Sequence, residues 1–211
     1  MTFEPRLVVS ASEAHAEARG AATVDADKIA RGVRLILEGI GENPERAGLA
    51  DTPGRVAESY GELFSGYAVD PVSLLQPLAS ETARGLVMVH SIPLVSICEH
   101  HLLPFTGTAA VAYLPGPDGR ITGLSKIARL MEVLSRRLQV QERLVREAAD
   151  ALEAALTPAG VFVLVEAEHL CMTIRGARAP GSVTVTTEAR GVFEHDTGAR
   201  AELAALARAG R

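Results

Sequence analysis

Cys98, Glu99, His100 and His101 stand side by side in SIPLVSICEHHLLPF, residues 91–105, with apolar sequence on both sides. A thiol and an imidazole three positions apart can chelate one cation from a tight turn, and Cys and His are the preferred zinc ligands. The only other cysteine, Cys171, follows in His169-Leu170-Cys171. With two cysteines, a closed site made of thiolates alone is excluded within one chain. Cys171 could supply a third ligand beside Cys98 and His101, and three ligands with an open position is the arrangement of a catalytic metal, which lowers the pKa of bound water to about 7. If both segments are strands, alternation turns His169 and Cys171 to one face, where they could share this site. The same residues also have a plain packing role open to them: buried cysteines behave as small hydrophobes, and a His pair can cap a loop. A disulfide fits the count, but a reducing compartment disfavours it.

A second group suits an anion. Leu124-Ser125-Lys126-Ile127-Ala128-Arg129 reads as the opening of a helix, where free backbone N–H groups favour negative charge. Lys126 and Arg129, three apart, share a helix face. Arg175 follows Cys171 by four residues. Ordinary solvated charges on a helix start explain Lys126 and Arg129 equally well. Glu142, in Gln139-Val140-Gln141-Glu142-Arg143, can accept two N–H bonds from an amidine-like edge such as that of guanine. It also suits the first turn of a helix, where the dipole favours acid.

The elements that must position these groups follow from periodicity. Ile29, Val33, Ile36, Leu37 and Ile40 predict a helix from Asp25 to Ile40. Thr52-Pro53 predicts a helix start with Thr52 as N-cap and a buried stripe of Val56, Tyr60, Leu63 and Phe64. Leu86–Val89 and Leu94–Ile97 read as short strands interrupted by Pro93, and Thr106–Leu114 as a third, closed by the turn 115–119. Ser125 is expected to cap a helix with Ile127, Leu130, Met131 and Leu134 inside. A second helix is expected over Gln141–Leu156, with Leu144, Ala148, Leu152 and Ala155 on one face. Val161–Val165 and Ser182–Thr187 read as strands, and a short helix from Thr197 ends the chain. Strands, two helices, then strands imply an α+β fold with a mainly antiparallel sheet.

Composition sets the frame. The chain has 211 residues, 47% of them hydrophobic, enough for one large domain. No apolar run approaches the ~20 residues of a membrane span, and the N-terminus carries early charges, so a cytoplasmic protein with neither signal peptide nor membrane segment is expected. A formal net charge of −5 argues against nucleic-acid binding. An anionic small substrate would therefore need a local basic patch. Residues 1–24 show no sustained period and read as a flexible extension.

Longer stretches carry a resemblance. CEHHLLPFTGTAAVAYLP, GLSKIARLMEVLSRRLQVQER and EAEHLCMTIRG closely resemble GTP cyclohydrolase I, as do GENPERAGLADTPGRVAESY in the N-terminal region and GVFEHDTGARAELAAL near the C-terminus. The match runs over residues 25–207 in the family's order. It implies a tunnelling fold, an antiparallel sheet backed by two helices. Residues 25–66 would be N-terminal helices, 85–195 the catalytic core and 197–209 a C-terminal helix of one domain spanning 25–211. It implies barrel assembly into a homodecamer with active sites between subunits.

The implied reaction converts GTP and water to 7,8-dihydroneopterin triphosphate and formate, the first step of folate or tetrahydropterin synthesis. Water adds at C8 of guanine while N7 is protonated. The implied zinc ligands are Cys98, His101 and Cys171, and the implied acid/base is His100, with His169 as a second active-site histidine. Ser125, Lys126, Arg129 and Arg175 match positions around ribose and triphosphate. Arg55 matches a triphosphate contact from a neighbouring subunit, and Glu142, with Gln141 beside it, the guanine anchor. Thr108 stands where many members have lysine, and Glu188 where some have a small or apolar residue. A paralogue feeding deazapurine or other pterin-derived synthesis would share the motifs. A non-catalytic regulatory subunit would share the fold without needing the intact His100, His169 and Glu142.

Overall fold

The computed structural model of the chain describes residues 24–80 and 82–209. The extension expected over 1–24 lies, apart from Val24, outside the described residues. Helix α1 (Ala26–Gly39) forms where the period predicts, and the Asp25 carboxylate caps it by accepting from the Lys28 N–H at 3.0 Å. Helix α2 (Thr52–Leu63) starts one residue earlier than expected. Thr52 is its first helical residue, and Asp51 takes the cap position without a side-chain cap bond. The Asp51 carboxylate is engaged instead by Arg55 Nη2, one turn on, at 3.0 Å. The expected stripe of α2 is only half-buried, with Ala57 the one buried residue of the helix.

After a 3-10 turn (Ser65–Ala68) and a one-turn helix α3 (Pro71–Leu74), β1 (Leu78–Ala79) pairs with β4 (Arg120–Ile121). The main sheet has five strands in the order β5-β2-β3-β6-β7. They are β2 (Val87–Cys98), β3 (Pro104–Leu114), β5 (Leu138–Gln139), β6 (Gly160–His169) and β7 (Thr184–Gly191). All pairs are antiparallel except β2 with β5. The chain is therefore α+β, as its pattern of elements implies.

The two short strands expected around Pro93 are one strand. A bulge between Val89 and Ile92 absorbs an extra residue, with Ser91 at φ +56°, and pairing with β3 resumes beyond it. Pro93 is tolerated because β5 covers β2 only at Ile97 and Cys98, leaving its outer side open at Pro93.

Two helices cover one face of the sheet. Helix α4 (Leu124–Ser135) packs on β2, and α5 (Gln141–Leu156) on β6 and β7. Ile127, Leu130, Met131 and Leu134 of α4, and Leu144, Ala148 and Leu152 of α5, are fully buried, as their spacing predicts. They meet Ala109, Val111, Tyr113, Val161, Val163 and Val165 of the sheet. The alternate residues Ala110, Ala112, Phe162 and Leu164 face the other way, onto Leu203 and Ala207 of helix α7 (Thr197–Arg208). Both faces of the central strands are thus buried, which explains why β3 and β6 read as near-continuous apolar runs. The cap of α4 is Gly123 rather than Ser125, which lies inside the first turn.

Gly107 of β3 lets the strands approach closely beside the site. A Cβ there would stand 1.9 Å from the Glu166 carbonyl oxygen and 2.6 Å from the Ala167 Cα. Both atoms are backbone of a central strand and have nowhere to go. Gly107→Ala is expected to destabilise the protein by about 1–3 kcal/mol or more, read as a lower midpoint in chemical denaturation. An unchanged midpoint would show that the β3–β6 pair can spread.

Candidate active site

β2 ends in Cys98, and the chain reverses through a tight turn into β3. Cys98 N–H donates to Leu103 O and Leu102 N–H to Cys98 O, both at 2.9 Å, and Leu102 takes the left-handed φ of +53°. The turn lifts His100 and His101 into solvent, while Cys98 stays buried at 6% exposure. The two rings stand edge to face, with centroids 6.4 Å apart and planes at 86°. Adjacent histidines therefore present their nitrogens in different directions.

The other segment arrives by register. Phe105 pairs directly with His169 across β3 and β6. The chain then leaves the sheet, so Cys171 lies not on a strand but in the one-turn helix α6 (Leu170–Thr173). Strand alternation does not relate His169 to Cys171, contrary to expectation, and the bend sends them to different partners. Cys171 joins Cys98 and His101, and the three donor atoms lie within 4.8 Å of one another. Donors bound to a tetrahedral zinc at about 2.0–2.3 Å stand about 3.5–4 Å apart, so two thiols and an imidazole at this separation fit a metal with little movement. Both cysteines are free thiols. Burial and the adjacent Cys98 push the Cys171 thiol above its ordinary value, with the Arg175 guanidinium acting in the opposite direction.

His169 stacks on Phe105, with centroids 4.5 Å apart and planes at 8°. Its Nε2 meets Gln141 Oε1 at 2.8 Å. The orientation of that amide is set by its nitrogen, which donates to Val165 O at 3.0 Å, Thr184 O at 3.0 Å and Thr186 Oγ1 at 3.1 Å. Gln141 therefore offers His169 an acceptor, and the His169 Nε2 carries the proton. In the neutral ring Nδ1 is left as the basic atom. Burial holds the His169 pKa below its ordinary value, partly offset by the nearby Glu142 carboxylate. Gln141, expected beside the guanine anchor, is 1% exposed, and its side chain is engaged by protein groups.

Glu142 is exposed in the first turn of α5, close enough to His169 for its charge to be felt there. Arg175 is exposed and acts on Cys171. Ser125 and Arg129 line a groove of about 510 Å³ between α4 and the outer side of β2, together with Ile92, Pro93, Val95 and Arg136. Lys126 sits half-buried in the same first turn of α4. Arg55 stands apart: it is exposed, paired with Asp51, on a helix whose main contacts are with α1 and the 3-10 turn.

Glu188, flagged as a departure, pairs with Arg190 and lies opposite Val163. That is six residues along β6 from His169, about 20 Å at ~3.3 Å per residue, so within one chain it does not face the Cys98–His101–Cys171 cluster. Thr108 pairs with Pro93 and Glu166 in mid-strand. Glu99, between Cys98 and His100, carries no motif of its own in the sequence. In the structure its carboxylate accepts from Arg143 Nη2 at 2.5 Å.

Residues 29–208 match the family described as GTP cyclohydrolase I. The chain is 56% identical over 177 residues to GTP cyclohydrolase 1 of Geobacillus kaustophilus, covering 84% of this chain and 94% of that protein. It is 54% identical over 183 residues to GTP cyclohydrolase 1 of Caldanaerobacter subterraneus, covering 87% and 97%. It is 56% identical over 170 residues to GTP cyclohydrolase 1 of Mycobacterium avium, covering 81% and 83%. A match of this length, through the segments that bring Cys98, His101 and Cys171 together, makes the chain a member of the GTP cyclohydrolase I family.

Proposed function

We infer that the protein is a zinc-dependent GTP cyclohydrolase I, converting GTP and water to 7,8-dihydroneopterin triphosphate and formate at the head of folate or tetrahydropterin synthesis. The observation that carries this is the Cys98–His101–Cys171 cluster beside His169, in a chain of this family. Two thiolates and an imidazole are a soft donor set that suits zinc over magnesium or calcium. When bound there, zinc supplies Lewis-acid activation of water at neutral pH.

The chain's own residues do the rest. Glu142 accepts two N–H bonds from the guanine edge and fixes C8 toward the metal ligands. His100, free of the metal cluster, gives a proton to N7 as water adds at C8 and the imidazole ring opens. His169, its Nε2 proton held by Gln141, offers Nδ1 for the second proton transfer, as formate leaves. Ser125 lies near the ribose, whose Amadori rearrangement precedes ring closure. Lys126, Arg129 and Arg175 neutralise the triphosphate, with Arg55 supplied by a neighbouring copy. Purified protein given GTP should release formate and yield a pterin that fluoresces after oxidation. Zinc-replete protein that does neither would overturn the reading.

On this reading residues 25–211 are one domain of the tunnelling fold, in a cytoplasmic enzyme with no nucleic-acid or membrane partner. Among the described residues, no helix is long and apolar enough to cross a membrane. A decamer of two barrels is supported by the sheet's two open edges, β2 before Ile97 and the outer side of β7, and by the isolation of Arg55. Light scattering is expected to give a mass far above a dimer. A monomer with full turnover would contradict inter-subunit sites.

The raised Cys171 pKa has a direct consequence. At neutral pH the free thiol holds its proton, and metal binding must displace it. Zinc affinity of the apoprotein is therefore expected to fall as pH falls, by at least about tenfold per unit, with proton release seen in calorimetry in buffers of different ionisation enthalpy. An affinity flat between neutral and mildly acidic pH would remove Cys171 from the ligand set.

A further inference from the structure

Glu99 sits between Cys98, a proposed metal ligand, and His100, and its two bonds go to Gln139 and Arg143, neither of them in the Cys98–His101–Cys171 cluster. Its N–H donates to Gln139 O at 3.1 Å. Its carboxylate accepts from Arg143 Nη2, which also donates to Leu138 O at 2.7 Å, while Arg143 Nε donates to Gln139 Oε1 at 3.0 Å. The Gln139 amide nitrogen in turn donates to Leu134 O and to Glu147 Oε2, both at 3.0 Å. The side chains of Arg143 and Glu99 are 16% and 30% exposed, so the pair is largely shielded from water.

The bonds inside the turn, Cys98 with Leu103 and with Leu102, fix its shape but not its placement. Among the described residues, neither His100 nor His101 has a hydrogen-bond partner, so beyond Cys98 the turn is tied to β5 and α5 through Glu99. Arg143 lies in the same first turn of α5 as Gln141, which grips His169, and Glu142. One helical turn thus holds both histidine-bearing segments.

We propose that the Glu99–Arg143 pair is a positioning clamp. It sets the turn carrying His100 and His101 against the start of α5, and so the distance between the metal and proton-bearing groups and the base anchor. Glu99 itself carries no proton to substrate. The inference rests on the metal and His100 assignments above.

The test uses the full-length zinc protein with Glu99→Ala, Glu99→Gln, Arg143→Ala and the Glu99→Ala/Arg143→Ala double variant. Zinc release to a chromogenic chelator is followed without GTP, alongside kcat and KM with GTP. Glu99→Ala is expected to release zinc about tenfold faster and to lose about tenfold in kcat with KM little changed, the scale seen when groups supporting metal ligands are removed. Glu99→Gln, which still offers Arg143 an acceptor, should stay within about threefold of wild type in both. The double variant should be no worse than Arg143→Ala, because the two residues act as one unit. The clamp is overturned if Glu99→Ala keeps wild-type zinc release and kcat. It is equally overturned if Glu99→Gln is as impaired as Glu99→Ala, or if the single effects add. Wild-type protein that holds zinc but does not turn over GTP would instead refute the proposed function, leaving zinc release to judge the clamp.

Discussion

His100→Ala is expected to keep close to stoichiometric zinc, to bind GTP, and to lose about 10²–10⁴-fold in formate release, the range a positioned acid/base contributes. His101→Ala should instead lose the metal, as should Cys98→Ser and Cys171→Ser, and formate release with it. The structure gives the physical ground. The donor atom of His101 lies within 4.8 Å of both sulfurs, and His100 is not in that cluster. The two rings are nearly perpendicular, so one turn can aim one imidazole at a cation and leave the next for substrate. Metal content by atomic absorption, measured beside formate release for each variant, decides it. Zinc lost in His100→Ala and retained in His101→Ala would show the roles reversed. Zinc unaffected by either change would end the metal assignment of the turn.

GMP should bind far more weakly than GTP, on the order of 10²-fold or more, because charge-assisted hydrogen bonds contribute about 1.5–3 kcal/mol each and the shorter nucleotide forfeits several. Lys126 in the first turn of α4 and Arg129 three residues on stand on one side of the helix, and Arg129 opens onto the groove along β2. In a chain with a formal charge of −5, such a local basic cluster is what an anionic nucleotide needs. Lys126→Ala and Arg129→Ala should each narrow the gap between GTP and GMP, whereas Glu142→Ala should weaken both nucleotides alike, since both carry guanine. Calorimetry with an inert zinc-free protein gives these affinities without turnover. Equal affinities for GTP and GMP would move the phosphates elsewhere.

Periodic signals read well from the chain. The limits of α5 and the inner faces of α4 and α5 follow from apolar spacing, because a long helix against a sheet repeats one demand every three or four residues. Short elements had no such repeat to show. The strand β5 has two residues and exists because β2 offers it an edge, and α6 is a single turn imposed where the chain leaves β6. Thr52 falls inside α2 rather than at its cap because Asp51, already near helical conformation at φ −90° and ψ −10°, takes that position, a backbone choice that composition does not reveal.

For the site, residue types and spacing by themselves singled out the candidate donors: one Cys-x-x-His turn, one distant thiol, and a basic helix start in an acidic protein. The long motifs added the family. Only the tertiary structure decided what each neighbour of those residues does. Gln141 reaches His169 across 28 positions and Arg143 reaches Glu99 across 44. Both sit at the start of α5, where the sequence shows Glu142 as a candidate base anchor but no partner for His169 or Glu99. Their partners are chosen by strand register and by the packing of α5 on β6, which bring distant segments within hydrogen-bond reach. A local pattern records the preferences of a few adjacent residues; these contacts exist only once the sheet and its covering helices have closed over the core.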